Sequence, residues 1–344
     1  MRAATLILTQ PQIRELLPMR DCIDVVSEAL GDDVDAVALA GGEGTNPLRR
    51  GMRLADGKSL LGMMPGSLDS LPAVGLKVVT VFPGNHGTPY DSHQGVVVLF
   101  DPENGVPRAI LDASEITSIR TAAASGLATM LLARDDAHDL AILGTGVEAR
   151  THLEAMLCVR RIDRVRVFSP NRERREAFAR RESERHHQRV EACESAHAAV
   201  EGADLVCTAT SSSVPVLQGA WLARGAHVNA VGACLKDARE LDTEAVVRSR
   251  LFVDRRESAL AESGDFLIPR SEGAIGDAHI VGEIGEILIG ACDGRRTNDE
   301  ITLFDSLGIA VEDLAVAHFL DRRARELGVG TLVELGGTRD EGDR

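Results

Sequence analysis

Lysine is scarce in this chain. Of its 38 Lys and Arg residues only Lys58, Lys77 and Lys236 are lysines, so 35 are arginines, and a lysine kept inside an apolar stretch stands out. Also missing is any paired cysteine motif: Cys22, Cys158, Cys193, Cys207, Cys234 and Cys292 are scattered without a C-x-x-C, and no clustered His and Cys have zinc-ligand spacing. No metal is therefore expected, and a reducing cytoplasm is the simplest location. The first residues do not run from a charged region into an adequate apolar core with a cleavage site, and no apolar run approaches membrane-spanning length. Positive charge is in deficit as well. A net charge of -15 argues against nucleic-acid or membrane-surface partners. No internal repeat is visible. What is present, 344 residues with 44% hydrophobic and 26% charged, suits about two globular domains with proper cores.

The most informative stretch is Leu140-Ala141-Ile142-Leu143-Gly144-Thr145-Gly146-Val147-Glu148-Ala149. A short apolar run suited to a buried parallel strand enters Gly-x-Gly-x-x-Ala, and Thr151, His152, Leu153, Ala155, Met156 and Leu157 continue with helical spacing. In such a unit the first glycine permits the turn, the second lets backbone approach a pyrophosphate, and the alanine keeps helix and strand close, so free N–H groups and the helix dipole face the phosphates. The alternative is a glycine turn serving packing only. Residues 164–168 and 203–210 read as further strands at suitable spacing, which favours the dinucleotide reading.

The preceding residues predict a strand at Ala4 to Leu8, two amphipathic helices around Ile13 and Val25, a glycine-rich loop at 41–44, and strands at 59–63, 74–81 and 95–100. Turns are expected at Pro65-Gly66, Pro83-Gly84-Asn85 and 101–105. An Ala-rich helix opens at Ser114 and leads to the dinucleotide unit. Strands and helices then alternate to about Leu307, as in a doubly wound parallel sheet, before a final helix at 311–327. The fold class expected is α/β: a Rossmann-type doubly wound parallel sheet domain over 134–310, plus an α+β substrate-binding and dimerisation domain over 1–133. The final helix should fold back on that first domain, and residues 336–344 should fray.

Two cations stand out. Lys77 sits in Gly75-Leu76-Lys77-Val78-Val79-Thr80-Val81, and a buried ammonium without a partner is costly. It either faces a bound anion, pairs with a core carboxylate or snorkels from an edge strand. Arg120 lies early in the Ala-rich helix, where the dipole offers a cation nothing. Either an anion is held there or the residue makes an inter-element salt bridge. Arg49 follows Pro47 in a loop. His93, in Asp91-Ser92-His93-Gln94, is either a proton donor or a structural histidine.

The whole pattern resembles the ornithine cyclodeaminase and mu-crystallin family. The matching segments are Pro47-Leu48-Arg49, Met63-Met64-Pro65, Gly75-Leu76-Lys77-Val78-Val79-Thr80, Ser92-His93-Gln94, Ile116-Thr117-Ser118-Ile119-Arg120-Thr121-Ala122-Ala123, Leu143-Gly144-Thr145-Gly146, Asn229-Ala230-Val231-Gly232-Ala233, Arg239-Glu240-Leu241 and residues 306–313. The resemblance implies a homodimer and chemistry on amino acids or cyclic imino acids. It implies that Arg49, Lys77 and Arg120 bind the substrate carboxylate, with Lys77 and Arg120 catalytic and Met64, His93 and Cys234 beside the substrate. For the cofactor it implies Thr121, the turn residues Gly144, Thr145, Gly146, Val147, Glu148 and Ala149, then Ser169, Asn171 and Arg172, and finally Thr210, Val231, Gly232 and Cys234.

Two departures refine the expectation. Cyclodeaminases of the family carry an aspartate where Cys234 stands, whereas its ketimine reductases carry a small neutral residue. The expected activity is thus NAD(P)H-dependent reduction of a cyclic ketimine carboxylate, Δ1-pyrroline-2-carboxylate or Δ1-piperideine-2-carboxylate, to proline or pipecolate. Ornithine cyclodeamination, alanine-type dehydrogenation and simple ligand binding are the alternatives. The second strand of the dinucleotide unit ends Phe168-Ser169-Pro170-Asn171-Arg172, without the carboxylate that would take the ribose hydroxyls. NADPH is therefore expected over NADH. Pro170 stands where the family's NADP-binding members place an arginine, so Arg172 must serve instead.

Overall fold

Short apolar runs, glycine punctuation and helical apolar stripes lay out the elements in turn. The computed structural model describes residues 4–39, 46–68, 71–85 and 87–335. The loop expected at 41–44 and the fraying expected at 336–344 lie outside the described residues. The chain starts with β1 (Ala4–Leu8), α1 (Gln10–Leu16) and α2 (Met19–Leu39). It continues through β2 (Arg50–Arg53), β3 (Leu60–Leu68), β4 (Ala73–Val81), β5 (His93–Phe100), β6 (Pro107–Asp112) and α3 (Ala113–Leu132). An alternating set follows: β7 (Asp139–Leu143), α4 (Val147–Val159), β8 (Arg164–Phe168), α5 (Arg172–His186), β9 (Val190–Ala192), α6 (Ala196–Val200), β10 (Leu205–Thr208) and β11 (His227–Ala230). After α7 (Thr243–Val247) come β12 (Ser249–Val253), α8 (Arg256–Glu262), α9 (Gly264–Ser271), β13 (Ile280–Glu283), α10 (Ile284–Leu288) and β14 (Ile301–Asp305). The chain closes with α11 (Ala310–Leu327) and β15 (Thr331–Glu334).

Two compact units result, one made of residues up to Arg120 together with those from Ile309 onward, the other of Thr121–Gly308. The boundary at Arg120 falls inside α3 rather than at 133/134. Polar groups on the second half of that helix explain why: Ser125 Oγ lies 3.0 Å from His152 Nε2, and the Asn229 side-chain amide donates to Thr129 Oγ1 at 3.0 Å. Those bonds bind residues 121–132 to the dinucleotide-type unit. The second boundary, at 308/309, admits the first turn of α11 to the first unit.

The first unit's sheet runs β15-β1-β6-β5-β4-β3-β2, antiparallel except for the parallel β1–β6 pair. β3 passes straight through Pro65 and Gly66, where a turn was expected. The last β2 pairing is Arg50 with Met63. Pro65 therefore lies where β3 has become an edge on that side, and a residue without an N–H is tolerated there. α11 packs against β3, β4 and β5, and against α2.

The second unit is an eight-stranded parallel sheet in the order β13-β12-β14-β11-β10-β7-β8-β9. From β7 the chain first adds strands on one side, β8 then β9, and returns to lay β10 on the other. The reversal point at the carboxyl ends of β7 and β10 is where ligands of such sheets bind. The core between sheet and helices is apolar, including Leu143, Val206, Val228, Leu241, Val253 and Phe266. Among the described residues no helix is long and apolar enough to cross a membrane.

Candidate functional site

In the first unit the candidate centre is a buried cluster of charges. β4 alternates, and its Ala73, Gly75 and Lys77 positions are buried. Lys77 is 2% exposed, and its ammonium lies 2.7 Å from Asp313 Oδ2 and donates to Thr117 Oγ1 at 3.4 Å. Arg120, on α3, donates through Nη1 to Glu312 Oε2 at 2.8 Å and through Nε to Asp313 Oδ1 at 3.1 Å. Glu312 and Asp313 stand in the first turn of α11, where the helix dipole favours carboxylates. Asp313 thus spans both cations. The anion that Arg120 called for is supplied from within the chain.

Electrostatics tune this cluster. Burial drives the Lys77 pKa down from 10.5 to about 8; the Asp313 charge opposes that fall, while Arg120 and Arg49 add to it. Burial by itself would raise the Asp313 pKa, yet Arg120 and Lys77 outweigh it and hold the carboxyl below its ordinary value. Arg49 is half-buried in the loop before β2. Arg49, Lys77 and Arg120 thus bring three cations to a region that also holds the carboxylates of Glu312 and Asp313.

Met64, 5% exposed, is paired directly with Lys77 across β3 and β4, so the two side chains share a face. His93 is not brought close. It begins β5 opposite Val81, four residues along from the Val97 that faces Lys77, which separates them by about 13 Å along the strand. It is exposed, and its Nδ1 lies 3.2 Å from Ser92 Oγ.

In the second unit the candidate centre is the reversal point. Gly144 follows β7 with φ +126°, a backbone conformation that residues other than glycine rarely adopt, and a Cβ there would overlap the Ala209 carbonyl oxygen. Gly146 is the N-cap of α4, has no side-chain cap and would meet no protein atom within 4 Å if it carried a Cβ. Open space thus lies before the N–H groups of Val147, Glu148 and Ala149, at a helix end of positive potential. Ala149, fully buried, seats the helix on the sheet. These residues fit a dinucleotide's pyrophosphate.

At the end of β8, Ser169 is half-buried and residues 168–172 carry no carboxylate, while Arg175 bonds both the Ser169 carbonyl oxygen and Glu194. Asn171 Oδ1 accepts the Arg174 N–H at 2.9 Å and so caps α5, which already engages one of the groups expected to face the ribose. Arg172 is exposed and pairs with Glu176 at 2.8 Å along the same helix. Such an exposed pair contributes little and costs little to break.

At the ends of β10 and β11, Thr210, Val231 and Gly232 lie beside Glu240. This glutamate was not among the expected site residues. Its side chain is fully buried and accepts the Thr210 N–H at 2.6 Å, the Gly232 N–H at 2.7 Å and the Thr208 hydroxyl at 2.8 Å. Cys234 is half-buried, with its thiol 3.6 Å from the Val231 carbonyl oxygen. Glu312 and Asp313 were likewise not expected. The available signal was an acidic pair opening the final helix while a core lysine lacked a partner.

A doubly wound sheet with an open glycine turn, in one chain with a buried cation cluster, defines the class as nicotinamide-dinucleotide proteins of two units. The chain belongs to the ornithine cyclodeaminase/mu-crystallin family, whose model matches residues 3–327. It is 36% identical over 331 residues to a Δ1-pyrroline-2-carboxylate reductase of Bacillus cereus, covering 96% of this chain and all of that one. It is 41% identical over 271 residues to the ketimine reductase mu-crystallin of Mus musculus, covering 79% of this chain and 82% of that one. Among solved structures, Thermococcus litoralis Δ1-pyrroline-2-carboxylate reductase in complex with NADH and L-proline matches with TM-score 0.91 and 38% identity. That match covers 96% of this chain and 100% of the other.

Proposed function

We infer that this protein is a nicotinamide-dependent reductase of cyclic ketimine carboxylates, with NADPH as the preferred donor and Δ1-pyrroline-2-carboxylate or Δ1-piperideine-2-carboxylate as substrate. The observation that carries the reading is the buried Lys77–Asp313–Arg120 arrangement, in which Arg49 adds a third cation. Ammonium and guanidinium groups gathered in one place suit a planar carboxylate. The turn from Gly144 to Ala149 would hold the dinucleotide, which when bound would supply hydride to the imine carbon. Lys77 and Arg120 fix the carboxylate, and so the ring, which restricts the orientations open to the imine. Lys77, with a pKa of about 8, still carries its proton at neutral pH and is the group suited to release it to the ring nitrogen. Asp313 keeps that ammonium charged despite burial.

The preference for NADPH rests on the β8 end, where residues 168–172 carry no carboxylate to take the ribose hydroxyls and Arg172 can turn from Glu176 towards a 2′-phosphate. We further propose a homodimer built on the open face of the first sheet. Met52, Leu61, Met63, Val78 and Val96 share that face through consecutive cross-strand pairing, and Met52, Met63 and Val96 are exposed by 55%, 40% and 38%. Such an apolar patch is suited to self-association. The six thiols are free, in keeping with a cytoplasmic location.

The test is a turnover assay on purified protein with NADPH and a panel of cyclic imino acids, scored for proline or pipecolate formed. Oxidation of reduced dinucleotide that requires the imino acid supports the reading. Dinucleotide binding without turnover of any cyclic imino acid would return the protein to a binding role.

A further inference from the structure

Three backbone segments meet at the carboxyl ends of β10 and β11, and none of them can move alone. Ala209 lies against Gly144, whose missing Cβ leaves room for the Ala209 carbonyl. On the other side, a Cβ on Gly232 would overlap the Thr210 carbonyl oxygen and stand 2.7 Å from the Glu240 carboxyl group. The Glu240 carboxylate closes the set. Its Oε1 takes the Thr210 N–H, and its Oε2 takes the Gly232 N–H and the Thr208 hydroxyl. Glu240 is itself fixed from behind, because Asp265 Oδ1 accepts the backbone N–H groups of Glu240 and Leu241 at 3.0 and 2.8 Å.

Among the described residues no cation pairs with the Glu240 carboxylate, whose partners are two amides and a hydroxyl. Placing a carboxylate in a fully buried position without a countercharge is costly. Three well-directed donors offset that cost, and two of them belong to the rim of the crevice. In a doubly wound sheet the strands on the β8 side receive the adenosine half of a dinucleotide, because the ribose-reading position lies at the end of the second strand. The strands beyond the reversal point, β10 and β11, are left to receive the nicotinamide half.

We propose that Glu240 is the positioning residue of the nicotinamide half-site: by holding the Thr210 and Gly232 N–H groups on one carboxylate, it sets the spacing of the two strand ends between which the nicotinamide nucleotide lies. This rests on the reading of the second unit as the dinucleotide site. Glu240 does not touch the ligand; it acts through Thr210 and Gly232. A glutamine in its place has one oxygen and one NH2 group, so one of the two backbone N–H groups faces another donor and the spacing changes. The adenosine side, built on β7 and β8, is left as it was.

The experiment compares two ligands on the natural protein and on Glu240→Gln: NADPH, and 2′-phospho-adenosine diphosphate ribose, which lacks only the nicotinamide. Titration by calorimetry should show NADPH binding weakened about tenfold in the variant, with the nicotinamide-free fragment bound as tightly as by the natural protein. Steady-state rates should show a raised KM for NADPH and an unchanged KM for the imine at saturating NADPH. Should Glu240→Gln fail to fold, Glu240→Asp keeps the charge but falls short by one methylene, and the same selective loss is expected. Thr208→Val removes the hydroxyl while leaving both N–H contacts, so its NADPH affinity should stay close to the natural value. Equal weakening of both ligands, no weakening of either, or a Thr208→Val loss as large as that of Glu240→Gln overturns the proposal. A natural protein that binds neither ligand would instead overturn the reading of the dinucleotide site.

Discussion

Asp313 Oδ2 stands 2.7 Å from the Lys77 ammonium, both groups buried, and the same carboxylate reaches Arg120 through its other oxygen. A core carboxylate and a carboxylate-binding role were competing explanations for Lys77, and the geometry accommodates both. Asp313 stabilises the cation in the absence of substrate, and a carboxylate-bearing substrate would join the same cluster of charges. The pair also bears on the proton, because a lysine with a pKa of about 8 can give one up far more readily than an exposed one.

Replacing Lys77 with Met keeps the stem and removes the charge, and Arg120→Met does the same on α3. Each variant should retain dinucleotide binding and lose reductase activity by at least about a hundredfold, the usual scale for a positioned proton donor or charge. Titration with NADPH alongside turnover separates the two effects. An active Lys77→Met enzyme would assign the residue to packing alone.

Asp313→Asn should have two measurable consequences. The native state should lose about 3 kcal/mol in urea unfolding, because a buried ammonium is left without its carboxylate. The Lys77 pKa should fall further below 8, since the charge that opposed burial is gone. Binding of a non-titrating carboxylate such as cyclopentanecarboxylate should then weaken at a lower pH than in the natural protein.

In the natural protein that same ligand should bind progressively less well above about pH 8, as Lys77 loses its proton. Stability should respond in the opposite sense. The folded pKa, about 8, lies below the ordinary 10.5, so between these values the unfolded chain carries the extra proton. The contribution of Lys77 to stability therefore rises with pH across that window. Lys77→Met should abolish both trends.

Gly144 and Gly146 should separate folding from binding. Gly144→Ala meets a positive φ and the Ala209 carbonyl together, and should cost several kcal/mol or prevent folding. Gly146→Ala meets no protein atom within 4 Å. Its melting temperature should match that of the natural protein while its affinity for NADPH falls about tenfold or more. A Gly146→Ala protein of unchanged affinity would place the phosphates elsewhere.

On the open sheet face, Met63→Glu combined with Val96→Asp puts charge on cross-strand neighbours through Val78. Sedimentation of the variant should give a monomer where the natural protein gives a dimer. On the β8 side, Arg172→Ala should lower the ratio of NADPH to NADH efficiency at least about fivefold and leave the NADH rate unchanged.

Local pattern made some of this legible in the sequence and could not reach the rest. Leu140 to Ala149 announces strand, turn and helix within ten residues, and Lys77 is conspicuous because lysine is so scarce. Glu312 and Asp313 are a different matter. Their partners on α3 and β4 are about two hundred residues away, and an acidic pair at the start of a helix is ordinary in itself. Glu240 lies in a loop with no periodicity, and the fold alone brings it the Thr210 and Gly232 amides and the Thr208 hydroxyl. β2 is exposed at all four residues and shows no alternation, so nothing marks it as a strand. Pro65 misled for a physical reason, since whether a proline breaks a strand depends on which side of it is paired.

Ornithine separates the two chemistries of the family most directly. Cyclodeamination needs a group beside the substrate that manages protons while ammonia departs, and Cys234, which lacks the fixed charge of a carboxylate, does not provide it. Cys234→Ser should accordingly keep most of the reductase activity. The decisive measurement incubates the natural protein in parallel with NADPH plus Δ1-pyrroline-2-carboxylate or Δ1-piperideine-2-carboxylate, and with NAD plus ornithine, assaying proline, pipecolate and ammonia. A cyclic ketimine reductase forms proline or pipecolate with loss of the reduced-nicotinamide absorbance in the first arm, and no ammonia or proline in the second; ammonia released from ornithine, with the cyclic imines left unreduced, would contradict that activity.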